Sequence, residues 1–201
     1  MGKRLFDIVV ASALLVSTLP LFLLTALAVF FGVGRPVLFR QQRLGWHARP
    51  FTILKFRTMT DDQAVDGNYL PDEARLTRTG RVLRRLSLDE FPQLLNVIKG
   101  EMSLVGPRPQ LTDYLPLYDS VQARRHEVRP GITGWAQVNG RNAVTWEERF
   151  KLDVWYVDHR SFWLDMRILM FTMIRVFQAH GISQPGCATM PRFTGSQRDH
   201  G

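Results

Sequence analysis

Asp89 and Glu90 stand side by side, with Arg81, Arg84 and Arg85 just before them and an apolar run just after. An isolated Asp-Glu pair in such a place is most simply a helix cap with surface ion pairs. A second chemistry is open to it. An ionised Asp attacks phosphorus as a covalent nucleophile and needs no general base to activate it. A neighbouring Glu can hold Mg²⁺ against the phosphates of the same substrate, with Asp89 as a second candidate ligand. The partial positive charge and free N–H groups at a helix start would keep both carboxylates ionised and would suit an anionic ligand. Arg108 carries the next signal. Pro107 and Pro109 restrict the backbone on both sides of it, so a planar donor fork is held out at small entropic cost, an arrangement suited to phosphate. Taken singly, Lys55 and Arg57 fit a solvated strand face, Arg141 after Gly140 a surface turn, and Asp165 in an apolar helix a buried structural ion pair. Together the basic residues make a cluster able to neutralise a pyrophosphate. The five His show no metal-ligand spacing, and Cys187 lies in a polar tail. The sequence contains no P-loop, no G-x-G-x-x-G fingerprint and no Ser-centred elbow.

These residues need elements to position them. Two β-like runs flank Leu44-Gly45-Trp46-His47 within residues 37–59, which predicts a short hairpin. In its second run Phe51, Ile53, Lys55 and Arg57 share one face. Residues 60–80 read as a solvated, lid-like loop, and Asp61, Asp62 and Asp66 lack EF-hand spacing. A helix is predicted from near Ser87 to Gly100, capped by Ser87 with Glu90 or by Asp89, with Phe91, Leu94, Leu95 and Ile98 as its apolar stripe. Pro92 favours the Asp89 cap, and either cap puts Asp89 and Glu90 in the first turn. Residues 129–142 are turn-rich. Helical periodicity returns from Thr145 to Phe177, in a run too charged to span a membrane but suited to a core or to an interfacial helix.

The chain has 201 residues and a net charge of +8. One cysteine excludes an intramolecular disulfide framework. The basic excess fits partners that carry phosphate: nucleic acid, nucleotides or an anionic membrane surface. No charged residue occurs from Ile8 to Gly34, a run longer than the roughly 20 residues a spanning helix needs. It is too long for a signal peptide and lacks a cleavage site. Pro20 sits near its middle, and Ser17 and Thr18 are placed to bond the carbonyls it frees. Lys3 and Arg4 precede the run, and Arg35, Arg40 and Arg43 follow it. A re-entrant segment keeps both basic clusters on the cytoplasmic face, as the positive-inside bias prefers, whereas a spanning helix would not.

The segments KRLFDIVVA, FRQQRLG, FTILKFRTM, RRLSLDEFPQLLNVIKGEMSLVGPRP and HEVRPGITGWAQVNGRN together resemble the bacterial sugar transferases, in the small monotopic form of the phosphoglycosyl transferases. Within that family the sequence looks most like the initiating enzyme of bacterial N-linked protein glycosylation, which uses a diacetamido-trideoxy sugar. The resemblance implies transfer of a sugar-1-phosphate from a UDP-sugar to polyprenyl phosphate, with release of UMP, through a phosphosugar-aspartyl intermediate. It implies Asp89 as nucleophile, Glu90 as a Mg²⁺ ligand, phosphate binding by Arg108, and functional positions at Lys55, Arg84, Arg141 and Asp165. It also implies a re-entrant helix broken at Pro20, although Leu19 stands where relatives often have Ser.

The expected fold is α+β and mostly helical. A re-entrant membrane helix covers residues 1–35. A cytoplasmic catalytic domain with a short β-hairpin and interfacial amphipathic helices covers 36–182, and a polar tail covers 183–201. The expected partners are a UDP-sugar, polyprenyl phosphate, membrane lipids and downstream glycosyltransferases, with no nucleic acid, at the bacterial inner membrane. The alternative is a membrane-anchored basic module that binds anionic lipid or nucleic acid without turnover. That reading gives no reason for Asp-Glu beside Pro-Arg-Pro.

Overall fold

The apolar run folds as two helices, α1 (Gly2–Ser17) and α2 (Leu19–Gly32), bent by 66° where they meet. Pro20 lies in the first turn of α2, where its missing N–H costs no helical bond. The hydroxyls of Thr18 and Ser17 donate to the Leu14 carbonyl at 2.6 and 3.1 Å. That carbonyl is not the one Pro20 frees, which, one turn back from Pro20, is that of Val16. Neither helix alone is long and apolar enough to cross a membrane, but the bent pair has the length and composition to do so. This computed structural model describes residues 2–64, 67, 69–140, 144–178 and 192–195.

Both outer ends of the helix pair meet the rest of the chain. At the start of α1, Arg4 donates to the carbonyls of Val97 and Ile98 at 2.6 and 2.9 Å. Asp7, 2% exposed, accepts from Ser103 Oγ at 2.8 Å and from the Leu104 amide. Toward the end of α2, Val29 is buried with Phe56 and Leu83, and Phe22 packs on the same cluster. Between these ends Leu14, Val16, Leu19, Leu23, Leu24 and Leu27 are exposed.

The hairpin forms as the alternation predicts. Strands β1 (Leu38–Leu44) and β2 (Pro50–Phe56) pair antiparallel, with Leu38 opposite Phe56 and Leu44 opposite Pro50. The 60–80 region is more ordered than a plain loop. It contains α3 (Asp72–Arg75) and the start of α4 (Arg78–Arg85), where the Thr77 side chain caps α4 by accepting from the Gly80 amide.

The helix expected from Ser87 to Gly100 does not form as one piece, and neither predicted cap is used. Ser87 adopts a left-handed conformation, Leu88–Glu90 make a single 3₁₀ turn, and α5 (Gln93–Lys99) follows Pro92. The reason lies in Pro92. It has no amide to give the Leu88 carbonyl, and the Phe91 amide takes that carbonyl in a tighter turn. Gly100, at φ 92°, ends α5 as expected.

A second sheet escaped the sequence reading. Strands β3 (Ser103–Val105) and β4 (Gly131–Thr133) pair parallel. Three residues each are too few to show alternation. The backbones meet closely here: a Cβ on Gly131 would lie 2.1 Å from the Gly106 nitrogen. After Pro107-Arg108-Pro109 come a 3₁₀ segment (Thr112–Leu117), α6 (Ser120–Ala123) and a second 3₁₀ turn (Arg124–Glu127). The short α7 (Trp135–Asn139), α8 (Trp146–His159) and α9 (Phe162–Gln178) complete the order. Thr145 and Glu148 form a capping box at α8. One core gathers α1, β2, α5, β3, α8 and α9 around Val97, Met102, Tyr156 and Ile168. Of the tail, residues 192–195 are described, and there Phe193 is buried among Tyr114, Trp146 and Phe150.

Candidate active site

Asp89 and Glu90 sit in the 3₁₀ turn between α4 and α5, where β2 and the Pro-Arg-Pro segment converge on them. Glu90 Oε1 accepts from Lys55 Nζ at 2.8 Å and from Arg108 Nη2 at 2.5 Å. Arg84 reaches back to Thr58 Oγ1 at 3.1 Å and lies within the field of Asp89. Five of the residues chosen from sequence are thus one cluster: Lys55, Arg84, Asp89, Glu90 and Arg108.

The two carboxylates differ in state. Among the described residues no hydrogen bond reaches the Asp89 carboxylate, which is 8% exposed. Burial and the neighbouring Glu90 charge push it up to about 6, against the pull of Lys55, Arg84 and Arg108. The dipole effect expected from sequence is therefore outweighed by burial. Glu90 is also buried, yet Arg108 and Lys55 hold its carboxyl far below the usual range. Its charge raises Arg108, while burial lowers Lys55 and Arg84. Asp89 is the carboxylate with free lone pairs, and Glu90 is the one held by cations.

Several residues that build the site left no local signal in the sequence. Asn96, fully buried in α5, accepts from the Leu54 amide at 3.1 Å and donates to the Thr52 carbonyl at 2.8 Å. It joins α5 to β2 beside Lys55. Arg125 donates to Asp153 at 2.7 Å, to the Arg108 carbonyl at 2.7 Å and to Tyr118 Oη at 3.1 Å. Arg125 and Asp153 are each 2% exposed. This buried pair holds the backbone of Arg108 while Glu90 holds its guanidinium.

Of the two remaining sequence candidates, only Asp165 can be placed, and it falls outside the cluster. Arg141 lies outside the described residues. Asp165 is 3% exposed and bonds Lys3 Nζ at 2.5 Å and Tyr156 Oη at 2.6 Å. Tyr156 and Lys3 also donate to the Val105 carbonyl. Asp165 thus ties α9 and α1 to the end of β3, two residues before Pro107, and matches the structural ion pair weighed from sequence.

No group of three or more His, Cys, Asp or Glu among the described residues could hold a metal by itself. Mg²⁺ commonly takes only one or two carboxylates, with substrate phosphate and water completing its shell. The Asp89–Glu90 pair fits that smaller demand. Among the described residues, Glu90 Oε2 receives only a 3.5 Å contact from Arg108, and the Asp89 carboxylate receives no hydrogen bond.

The site thus brings together a buried Asp, a Glu held by Lys and Arg, and an Arg between two prolines. Comparison with known proteins names the chain's family. Residues 1–179 match the family model for the bacterial sugar transferases, and the chain belongs to that family. The uncharacterized sugar transferase EpsL of Bacillus subtilis (strain 168) is 60% identical over 194 residues, covering 96% of each chain. The exopolysaccharide production protein ExoY of Rhizobium meliloti (strain 1021) is 40% identical over 198 residues, covering 90% of this chain and 88% of its own. The UDP-glucose:undecaprenyl-phosphate glucose-1-phosphate transferase of Klebsiella pneumoniae is 40% identical over 187 residues, covering 87% of this chain and 40% of its own. These names speak of exopolysaccharide and glucose, not of the diacetamido sugar suggested by sequence resemblance.

Proposed function

We propose that this enzyme transfers a sugar-1-phosphate from a UDP-sugar to undecaprenyl phosphate in two displacements, with Asp89 as nucleophile. The contrast between the two carboxylates carries this reading. Asp89 is buried, receives no hydrogen bond among the described residues and is mostly ionised at neutral pH, so its oxygen can attack; Glu90 is committed to Lys55 and Arg108. An Asp89 oxygen forms a bond to the phosphorus bearing the sugar. The diphosphate P–O bond breaks, and UMP leaves with the electron pair. A phosphate oxygen of the acceptor then attacks the same phosphorus and the Asp89 carboxylate is released. The acceptor phosphate is largely dianionic near neutral pH, with its second pKa about 6, so no general base is required. Arg108 and Lys55 place positive charge where it develops on phosphoryl oxygens. Glu90, with Asp89, would hold Mg²⁺, which offsets diphosphate charge.

UDP-glucose is the first donor to test, because relatives carry that substrate in their names. UDP-diacetylbacillosamine, the donor favoured from sequence, is the second. The test is UMP release from each donor by purified protein, first without acceptor. One UMP per enzyme is expected, with a phosphosugar adduct on Asp89, and D89N should give neither. Turnover unchanged in D89N, or no UMP from any UDP-sugar, would overturn the reading. Chelation with EDTA should stop release, and added Mg²⁺ should restore it.

We also propose that the α1–α2 pair re-enters the cytoplasmic face of the inner membrane instead of spanning it. Supporting this, Lys3, Arg4 and Asp7 at one end and Val29 at the other contact the same catalytic domain, while the leucines around the bend are exposed. Trp163, Met170 and Met173, exposed on α9, would lie at the lipid surface.

A further inference from the structure

Helix α4 has three sides, and the fold packs two of them. Toward α2, Thr79 sits against Gly32, where an added Cβ would lie 2.2 Å from the Thr79 hydroxyl, and Leu83 is buried with Val29 and Phe56. Toward the catalytic turn, Gly80 lies on the Thr58 carbonyl and Arg84 donates to Thr58 Oγ1 at 3.1 Å. The third side faces out. Going round the helix from Thr79, the helical period brings Leu86 and Val82 first, then Arg78, Arg85 and Arg81. All five are exposed, Val82 by 56% and Leu86 by 47%.

This outward side is unlike an ordinary solvated helix face. It holds no acidic residue. Among the described residues none of its three arginines forms an ion pair, although Arg75, just before the helix, pairs with Asp61 and Asp72. Arg78 stands in the first turn, against the helix dipole, and Arg81 has Arg78 and Arg85 at the spacings where like charges repel. An anionic surface relieves both effects, and position says which surface. The uncharged run ends at Gly34, with Arg35 the next charge, and α4 packs on Gly32 at that boundary. Val82 and Leu86 stand between α2 and the arginines. Apolar surface therefore passes into basic surface in the order that an interfacial helix presents to lipid.

We propose that α4 lies on the bilayer surface, with Val82 and Leu86 at the acyl boundary and Arg78, Arg81 and Arg85 on the phosphates of anionic phospholipids. The proposal rests on the reading that the α1–α2 pair is embedded in the membrane. It gives α4 two working sides, lipid headgroups outside and Arg84 of the catalytic cluster inside.

The test uses the full chain in lipid nanodiscs. In a C187S background a bimane fluorophore is attached at V82C or, on the exposed surface of α2, at L27C. Quenching is measured with phosphatidylcholine or phosphatidylglycerol, each spin-labelled on its upper acyl chain. Both positions are expected to be quenched. At position 82 phosphatidylglycerol should act at a lipid fraction about fivefold or more below that of phosphatidylcholine. High salt should remove that preference, and so should R78Q/R81Q/R85Q, which should melt as wild type does because the three side chains are exposed. Should the triple variant not fold, each single Gln variant should lower the preference by itself. Quenching at 27 without quenching at 82 overturns the placement of α4 and leaves the membrane reading intact. No quenching at 27 sinks the membrane reading itself. Equal quenching of position 82 by the two lipids overturns the headgroup site. A label at 82 that responds to an added oligonucleotide and not to phosphatidylglycerol assigns the stripe to nucleic acid and overturns it too.

Discussion

Asp89 is a charge the fold pays to keep. Its carboxyl rises to about 6 because burial and Glu90 outweigh three nearby cations. The ionised form is the nucleophile, so the rate of the UMP burst should fall as pH drops through about 6 and level off above 7, as rapid-quench measurements from pH 5 to 8 would show. The same shift bears on stability. A carboxyl raised in the folded state stabilises the fold only at low pH, and that contribution is lost as pH rises through 6. D89N removes the buried charge, so it should melt higher than wild type at pH 8, by on the order of 1–3 kcal/mol, with the gap closing toward pH 4. E90Q acts in the opposite way. It leaves Lys55 and Arg108 facing a neutral amide, and the burst rate should fall by about 100-fold or more. Asp89, Glu90 and Arg108 were legible in the sequence because adjacency and flanking prolines are local patterns. Arg125 and Asp153, 28 residues apart, were not, because only the fold brings them together.

At the scale of elements, alternation and the Gly100 stop served well, and the two N-cap signals before α5 did not. The β1–β2 hairpin follows directly from its two patterned runs. The helix expected from Ser87 failed because two plausible caps competed with one proline, and Pro92 moved the start of α5 beyond the catalytic pair. That displacement matters: Asp89 and Glu90 lie in a tight turn whose amides are engaged with Ser87 and Leu88, not on the open first turn of a helix. The parallel β3–β4 pair, too short to read, positions the Pro-Arg-Pro segment by its exit. Its other support is the buried Arg125–Asp153 pair. D153N should leave Arg125 charged and unpaired, costing about 3–5 kcal/mol. A large fall in melting temperature would come with weaker catalysis through Arg108, whereas D158N, at the exposed Arg124 pair, should melt within about 1 kcal/mol of wild type.

For the whole molecule, the basic excess and the uncharged run predicted phosphate-bearing partners and a membrane segment, features that the alternative binding module would share, and the positions of the charges support one side for both helix ends. A cysteine at position 2 (G2C) should react with a membrane-impermeant reagent only after the cells are opened. Labelling from the periplasm in intact cells would contradict re-entry. P20A restores an amide that can reach Val16 and should straighten the bend, so some G2C/P20A molecules should become reactive from outside.

The first turn of α1 does more than hold the protein at a surface. Lys3 and Asp165 meet at the Val105 carbonyl, and Asp7 closes on Ser103 and Leu104. Val105 leads through Gly106 into Pro107 and Arg108. The α1–α2 pair and Arg108 are therefore joined through β3 as a mechanical linkage, and on the proposed re-entry the lipid phase would become a structural component of the catalyst. Cutting the chain after Gly34 to obtain a soluble enzyme would take Lys3 from Asp165, leaving it Tyr156 alone, and would leave Ser103 Oγ and the Leu104 amide without Asp7. Such a fragment has lost part of its catalytic frame, and attaching a foreign anchor would not restore it.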